Sequence, residues 1–187
     1  AAEASQPSQP SQAGQVEVPP TVRAHAWITL GKLCLVDEAL AKRCLPFFIQ
    51  ELQRSNSAVV RNNILVALSD LCVHYTGLVD PHIARMVACL RDPCPIVRRQ
   101  ALLLLSTLLS RDYLKWRGLV FHRFLLALVD PHKDIAQLAE YLLGEAMQVK
   151  APLLAYNHFV EALFMLNDCR LHPSYHTSGV AVGALER

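Results

Sequence analysis

The sequence is short of charge. Asp, Glu, Lys and Arg make up 18 % of its 187 residues, against about 25 % in an average domain. The formal net charge is only +2, so no strong global field draws in DNA or an anionic membrane. No uninterrupted apolar run approaches the ~18 residues of a membrane span, which predicts no transmembrane helix. The first twenty residues have neither the basic patch nor the apolar core of a signal peptide. Cysteine pairs are missing too: the six cysteines include no C-x-x-C, and zinc sites need close Cys or His pairs at set spacing. Five of the six stand among Leu, Val, Ala and Ile, as buried free thiols do. They are therefore expected to be structural thiols of a reducing compartment, cytosol or nucleus.

Catalytic motifs are also absent. There is no G-x-G-x-x-G, G-x-x-x-x-G-K, G-x-S-x-G or H-E-x-x-H, so no phosphate-cradling loop, nucleophile elbow or metalloprotease helix is expected. Of the eight histidines only His172 and His176 have ligand-like spacing, and two imidazoles without a third ligand do not make a zinc site. His25, His74, His82, His122, His132 and His158 are expected on polar faces or at caps. The chain is thus predicted not to be an enzyme and to need no cofactor, metal or small-molecule substrate.

What is present is leucine. Apolar residues reach 52 %, and 31 of the 187 residues are Leu, so the chain is not globally disordered. Residues 1–20 form a Ser/Gln/Pro segment that is expected to be disordered. Residues 21–169 carry helical apolar spacing, as in Leu65, Leu68 and Cys72 or Leu102, Leu105 and Leu109. Residues 170–187 revert to a small, polar tail that is also expected to be disordered. Nothing reads as strand, and the fold class is all-α.

The helical part repeats. Val22-Arg23, Val60-Arg61, Val97-Arg98 and Ile135-Ala136 open successive helices at steps of 38, 37 and 38. Leu52, Leu90, Leu128 and Leu166 close the intervening helices, each 38 residues after the last, and Leu128 is expected to be buried between helices with Leu65, Leu68 and Leu105. Two registers with one period predict a HEAT/armadillo-type α-solenoid with two helices per unit. The inner helices are expected at 21–35, 58–74, 95–110 and 133–148. The outer ones are expected at 39–54, 78–91, 112–129 and 152–167. An array that opens on an inner helix and closes on an outer one reads as a piece of a longer array.

Arg61, Asp92 and Arg98 are expected to form a structural ladder. Asp92 precedes Arg98 by six residues, at the junction between an outer helix and the next inner one, where a carboxylate and a guanidinium pair through a bidentate fork. In this register Ser55 occupies the place where Arg61 would want its acid, and Ala136 replaces the last arginine. Charge is uneven along the chain. Residues 85–123 hold eight basic residues against two acidic ones, whereas 130–168 hold six acidic against two basic. Such a basic middle points to a polyanion or protein partner unless it is merely a solvated face.

Several strings resemble one family. Val60-Arg61-Asn62-Asn63, Asp70-Leu71-Cys72-Val73, Cys89-Leu90-Arg91-Asp92 and Val97-Arg98-Arg99-Gln100 are similar to the central HEAT block of the condensin D-type regulatory subunits. Lys115-Trp116-Arg117-Gly118, Phe121-His122-Arg123-Phe124 and Asn157-His158-Phe159-Val160-Glu161 resemble the condensin II version more than the condensin I counterpart. The resemblance covers residues 21–169 in order and spacing. It implies a non-enzymatic, nuclear, chromosome-associated scaffold acting in mitotic chromosome condensation. Its implied partners are the kleisin subunit, the SMC ATPases, DNA and chromatin, and histone tails. No aromatic cage is expected, because Trp27 and Trp116 lie far apart in the repeat register. Together with the basic middle, the resemblance makes Arg99, Lys115 and Arg117 the candidate DNA contacts. Competing readings are the condensin I counterpart, another HEAT scaffold (transport receptor, adaptor or phosphatase scaffold), and a helical enzyme or lipid carrier with a closed core.

Overall fold

A computed structural model describes residues 18–146, 151–167 and 169. The expectations for most of 1–20, for 170–187 and for His172 and His176 lie outside the described residues. Nine helices run in chain order through the described part: α1 (Pro20–Val36), α2 (Glu38–Arg54), α3 (Ala58–His74), α4 (Thr76–Val79), α5 (Ile83–Ala88), α6 (Pro95–Ser110), α7 (Gly118–Ala127), α8 (Lys133–Tyr141) and α9 (Leu154–Leu166). No residue described here is in a strand.

Local sequence sets several of these limits. Pro20 and Pro95 stand in the first turns of α1 and α6, where a missing amide hydrogen costs nothing and a fixed φ suits the helix. Asp37 caps α2 by accepting the Ala39 amide at 2.8 Å, satisfying a donor that has no partner within the helix.

Two outer helices depart from the predicted spans. The one expected at 78–91 is broken into α4, a 3-10 turn at Asp80–His82, α5 and a second 3-10 turn at Cys89–Arg91. Pro81 removes an amide donor there. The one expected from 112 begins only at Gly118. Asp112 adopts a left-handed φ of 62°, and the Tyr113 and Leu114 amides both fold back onto the Leu108 carbonyl, at 3.0 and 3.2 Å. α8 ends early as well and passes into a π-helical turn at Leu142–Ala146.

The helices stack as an inner row, α1 on α3 on α6 on α8, backed by an outer row in which α5 packs on α7 and α7 on α9. α2 lies across α1 and α3. α3 is the most deeply buried element, with Ile64, Leu65, Leu68, Leu71 and Cys72 fully enclosed. α6 follows with Leu102 and Leu105. Gly31 allows the close approach of α1 to α3, since a Cβ there would lie 2.8 Å from the Ala67 Cβ. The result is the all-α stack of helix pairs that the two registers predict.

The leucine register fades along the stack. Leu52 and Leu90 are buried, but Leu128 is 37 % exposed and Leu166 is 45 % exposed. Leu128 was expected in the core; instead it lines a cleft of about 340 Å³ with Phe121, Leu143 and Leu154. The last outer helix keeps an apolar solvent side as well, through Tyr156, Phe159 and Val160.

The inter-repeat ladder and a candidate nucleic-acid surface

Two buried arginines tie successive inter-repeat loops together. Arg61, in the first turns of α3, donates from Nε to Asp92 Oδ2 at 2.6 Å and from Nη2 to Asp92 Oδ1 at 2.7 Å. Its Nη1 donates to the Ser55 carbonyl at 2.9 Å. Arg98 repeats the arrangement one unit later: Nε to Asp130 Oδ2 at 2.6 Å, Nη2 to Asp130 Oδ1 at 3.0 Å, and Nη1 to the Asp92 carbonyl at 2.8 Å. Both guanidiniums therefore bind the loop behind them through backbone and the loop ahead through a carboxylate. Each carboxylate also caps its own loop, Asp92 accepting the Cys94 amide and Asp130 the His132 amide, both at 2.8 Å.

This differs from the predicted pairing. Arg98 takes the carboxylate of Asp130, and from Asp92, six residues before it, only the main-chain carbonyl. Ser55 is no gap in the ladder, because its carbonyl is what Arg61 uses. The arginine reaches forward because stacking sets the next loop beside the open end of the guanidinium. Electrostatics agree with the geometry. The hydrogen bonding of its guanidinium to Asp92 is the largest influence on Arg61 and holds it above its ordinary value, against the opposing effect of burial. Burial pushes the Asp130 carboxyl up, but the bonds from Arg98 and the His132 amide outweigh it and leave it below the usual carboxylate range.

The three candidate DNA residues are exposed but do not form one patch. Arg99 lies in the second turn of α6, whereas Lys115 and Arg117 lie in the loop beyond its far end. At 1.5 Å per residue, about 16 Å of helix separates Arg99 from that end. Arg117 is held by Asp80, whose two carboxylate oxygens each lie 3.0 Å from its Nη2. That pair is half-exposed, the kind of surface contact that contributes ~0–1 kcal/mol and yields to a competing anion.

A second cluster had no sequence forecast. His122 and His158, expected at unrelated caps or faces, meet with ring centroids 6.5 Å apart. His158 stacks on Phe121 at 5.3 Å and its Nδ1 lies 3.0 Å from Glu161 Oε2. His122 is 1 % exposed, and neither ring nitrogen has a hydrogen-bond partner among the described residues. Burial pushes its pKa down, Glu161 pulls it back up and His158 adds to the depression, for a net lowering. The spacing of 36 residues, close to one period, is the signal that would have found this pair. Trp116 packs on Phe124 at 5.4 Å, while Trp27 packs on Phe48 at 5.2 Å, in different repeats.

The buried thiols are poor nucleophiles. Burial above all pushes Cys34 and Cys72 up to about 11 and Cys89 up to about 12. Among the described residues no three His, Cys, Asp or Glu side chains converge to hold a metal ion. No described helix is long and apolar enough to cross a membrane.

Sequence comparison fits this architecture. Residues 59–177 match the family described as non-SMC mitotic condensation complex subunit 1. The chain belongs to this condensin subunit family. Residues 1–52 match the condensin-2 complex subunit D3-like HEAT repeats, so the two matches together extend beyond the 21–169 range of the resemblance. Individual relatives point to the condensin II form. The chain is 53 % identical to condensin-2 complex subunit CAP-D3 of Arabidopsis thaliana, over 83 % of its own length and 12 % of the relative's. It is 43 % identical to condensin-2 complex subunit D3 of Mus musculus, over 89 % of its length and 11 % of the relative's. Human condensin complex subunit 1 is 35 % identical, over 81 % and 11 %. The chain thus spans about a tenth of the length of the condensin subunits it matches.

Proposed function

We propose that this chain is a non-enzymatic segment of the condensin II HEAT scaffold, and that it acts by binding in mitotic chromosome condensation. In this reading it works on chromosomes in the nucleus, in the same assembly as the kleisin and the SMC ATPases, which supply ATP hydrolysis. The observation that carries the reading is the Arg61–Asp92 and Arg98–Asp130 ladder. It locks successive helix pairs at a fixed stagger and so presents a long, regular surface rather than a closed pocket.

Within that scaffold Arg99, Lys115 and Arg117 contact duplex phosphates without reading sequence. Two of them sit about 16 Å or more from the third along α6. A duplex carries one charge per ~1.7 Å of axis, so phosphates are available at both ends of the helix. The ion pair of Arg117 with Asp80 is exchanged for one with phosphate. Kleisin and histone tails are further partners consistent with the family, and no particular face of this segment is assigned to them.

The test is the salt dependence of duplex binding. Each neutralised phosphate adds about 0.9 to the slope of log affinity against log salt, so three contacts give about −3. Changing Arg99, Lys115 and Arg117 to Glu should abolish that slope and preserve helix content, because none of the three takes part in the ladder. Reversing Glu140, in the acidic repeat, should not weaken binding. If the triple variant binds as the parent does with an unchanged slope, the basic middle is a solvated face and the DNA contact is refuted.

A further inference from the structure

The last outer helix is loosely seated. Of the 13 residues of α9 only Ala162 and Met165 are buried, against nine of the 17 in α3. Tyr156, Phe159, Val160 and Leu163 stay exposed. The rest of its hold on α7 is polar and aromatic. His158 stacks on Phe121, meets Glu161 Oε2 through Nδ1 at 3.0 Å, and stands edge-on to His122. Glu161 reaches the start of α7, where a Cβ on Gly118 would lie 3.0 Å from its Oε2. Elements with so few buried contacts open locally at low cost.

His122 lies beneath this contact, 1 % exposed, with neither ring nitrogen partnered among the described residues. A neutral imidazole leaves one donor unmet there, whereas the charged ring has two N–H donors and no acceptor. A buried charge in that condition is strongly disfavoured. The two ionisable groups that act on it both come from α9: Glu161, already engaged by His158, and His158 itself. α7 also packs on α5, on the 3-10 turn after it and on α8. Their charged groups, Arg85, Arg91, Lys133, Asp134 and Glu140, do not act on His122.

We propose that α9 is a pH-responsive flap, docked on α7 while His122 is neutral and lifted when His122 takes up a proton. Lifting removes the cover that His158 and Glu161 place over the imidazole and lets water reach both N–H groups. It also uncovers Phe121 and opens the apolar cleft of Phe121, Leu125 and Leu128, which Leu154 and Ala155 of α9 help to close. Glu161 opposes the release by favouring the charged ring, but burial is the larger influence and His158 adds to it. The His158–Glu161 pair joins residues i and i+3 of α9 itself, so it survives lifting and does not hold the flap down. A docked ring that binds its proton below the free value of about 6.5 makes acid favour the lifted state. With the docked ring neutral throughout, the opening constant grows about elevenfold at pH 5.5 and by only about a tenth at pH 7.5.

The test is hydrogen exchange of the whole chain, read by mass spectrometry at pH 7.5 and 5.5 and corrected for the intrinsic chemical rate. Amides of 154–166 should open about five- to tenfold more at pH 5.5, while those of α3 and α6 stay as they were. His122→Phe keeps a ring in place but cannot be protonated, and should give α9 the same protection at both pH values. Unchanged α9 exchange in the parent, or a rise shared equally by α3 and α6, would overturn the proposal. So would a rise that persists in His122→Phe. Histidine-ring NMR of the parent decides the matter without the variant, should the variant not fold. The His122 ring must titrate below about 6.5, and a midpoint at or above that value would overturn the flap.

Discussion

Replacing Asp92 by Ala is the sharpest probe of the ladder. The change strands the Arg61 guanidinium, whose side chain is 11 % exposed, with the Ser55 carbonyl as its remaining hydrogen-bond acceptor. It also removes the acceptor of the Cys94 amide ahead of α6. Breaking a buried ion pair from one side costs about 3–5 kcal/mol, and losing a cap costs ~1 kcal/mol. An open cleft lined by Arg61 and Asp92, between the α2–α3 and α5–α6 loops, lets water reach the guanidinium, which places the pair at the low end, about 3 kcal/mol. In a chain of this size that corresponds to a melting temperature lower by roughly 6–12 °C. The assay is urea unfolding followed by circular dichroism, on Asp92→Ala, Arg61→Ala and the double variant. Because the double variant leaves no stranded charge, it should cost less than the sum of the singles, with a coupling energy of about 2 kcal/mol. Additive costs within ~0.5 kcal/mol, or a loss below ~1 kcal/mol for Asp92→Ala, would refute the claim that this pair joins the repeats.

Core truncation and acid titration check the rest of the fold. Leu65→Ala, Leu68→Ala and Leu105→Ala, all at fully buried positions, should each cost about 2–5 kcal/mol. Leu128→Ala should cost less than any of them, since Leu128 is 37 % exposed; denaturant melts that rank Leu128 with the other three would contradict the packing described. His122 has its pKa lowered in the folded state, so the unfolded chain binds more protons as the pH falls. Its contribution is complete above the unfolded value of ~6.5 and is lost progressively below it. Unfolding free energies measured from neutral to mildly acidic pH should show this decline, and His122→Leu should flatten it. Asp130 acts lower on the scale: its depressed carboxyl adds stability above about pH 4 that disappears as it protonates. Asp130→Asn should therefore lose part of the steep acid limb, and an unchanged limb would sink that assignment.

Much of the architecture was legible because a solenoid writes its period into its leucines. The inner helices α3 and α6 coincide with the predicted spans, since no breaker interrupts Ala58–His74 or Pro95–Ser110. The outer helices were legible only in outline. Pro81 splits one and the left-handed Asp112 delays another, and a leucine register does not report either event. The ladder residues could be picked out by their recurrence, but their partners could not. Short separations in sequence suggest themselves first, whereas stacking joins residues nearly one period apart. Arg61 meets Asp92, Arg98 meets Asp130 and Arg117 meets Asp80. The same rule brings His158 to His122 and sets Arg54 across a cleft from Arg91. Charge counted along the chain placed Arg99, Lys115 and Arg117 in one basic run, yet the length of α6 separates them.

The claim that most needs a direct measurement is that this segment works within condensin II. Full-length protein carrying the segment should be tagged, recovered from mitotic cells and examined by quantitative mass spectrometry. The account predicts co-recovery of an SMC pair together with the condensin II kleisin, in near-stoichiometric amounts. Recovery of the condensin I kleisin in its place, or of no SMC protein at all, would contradict it.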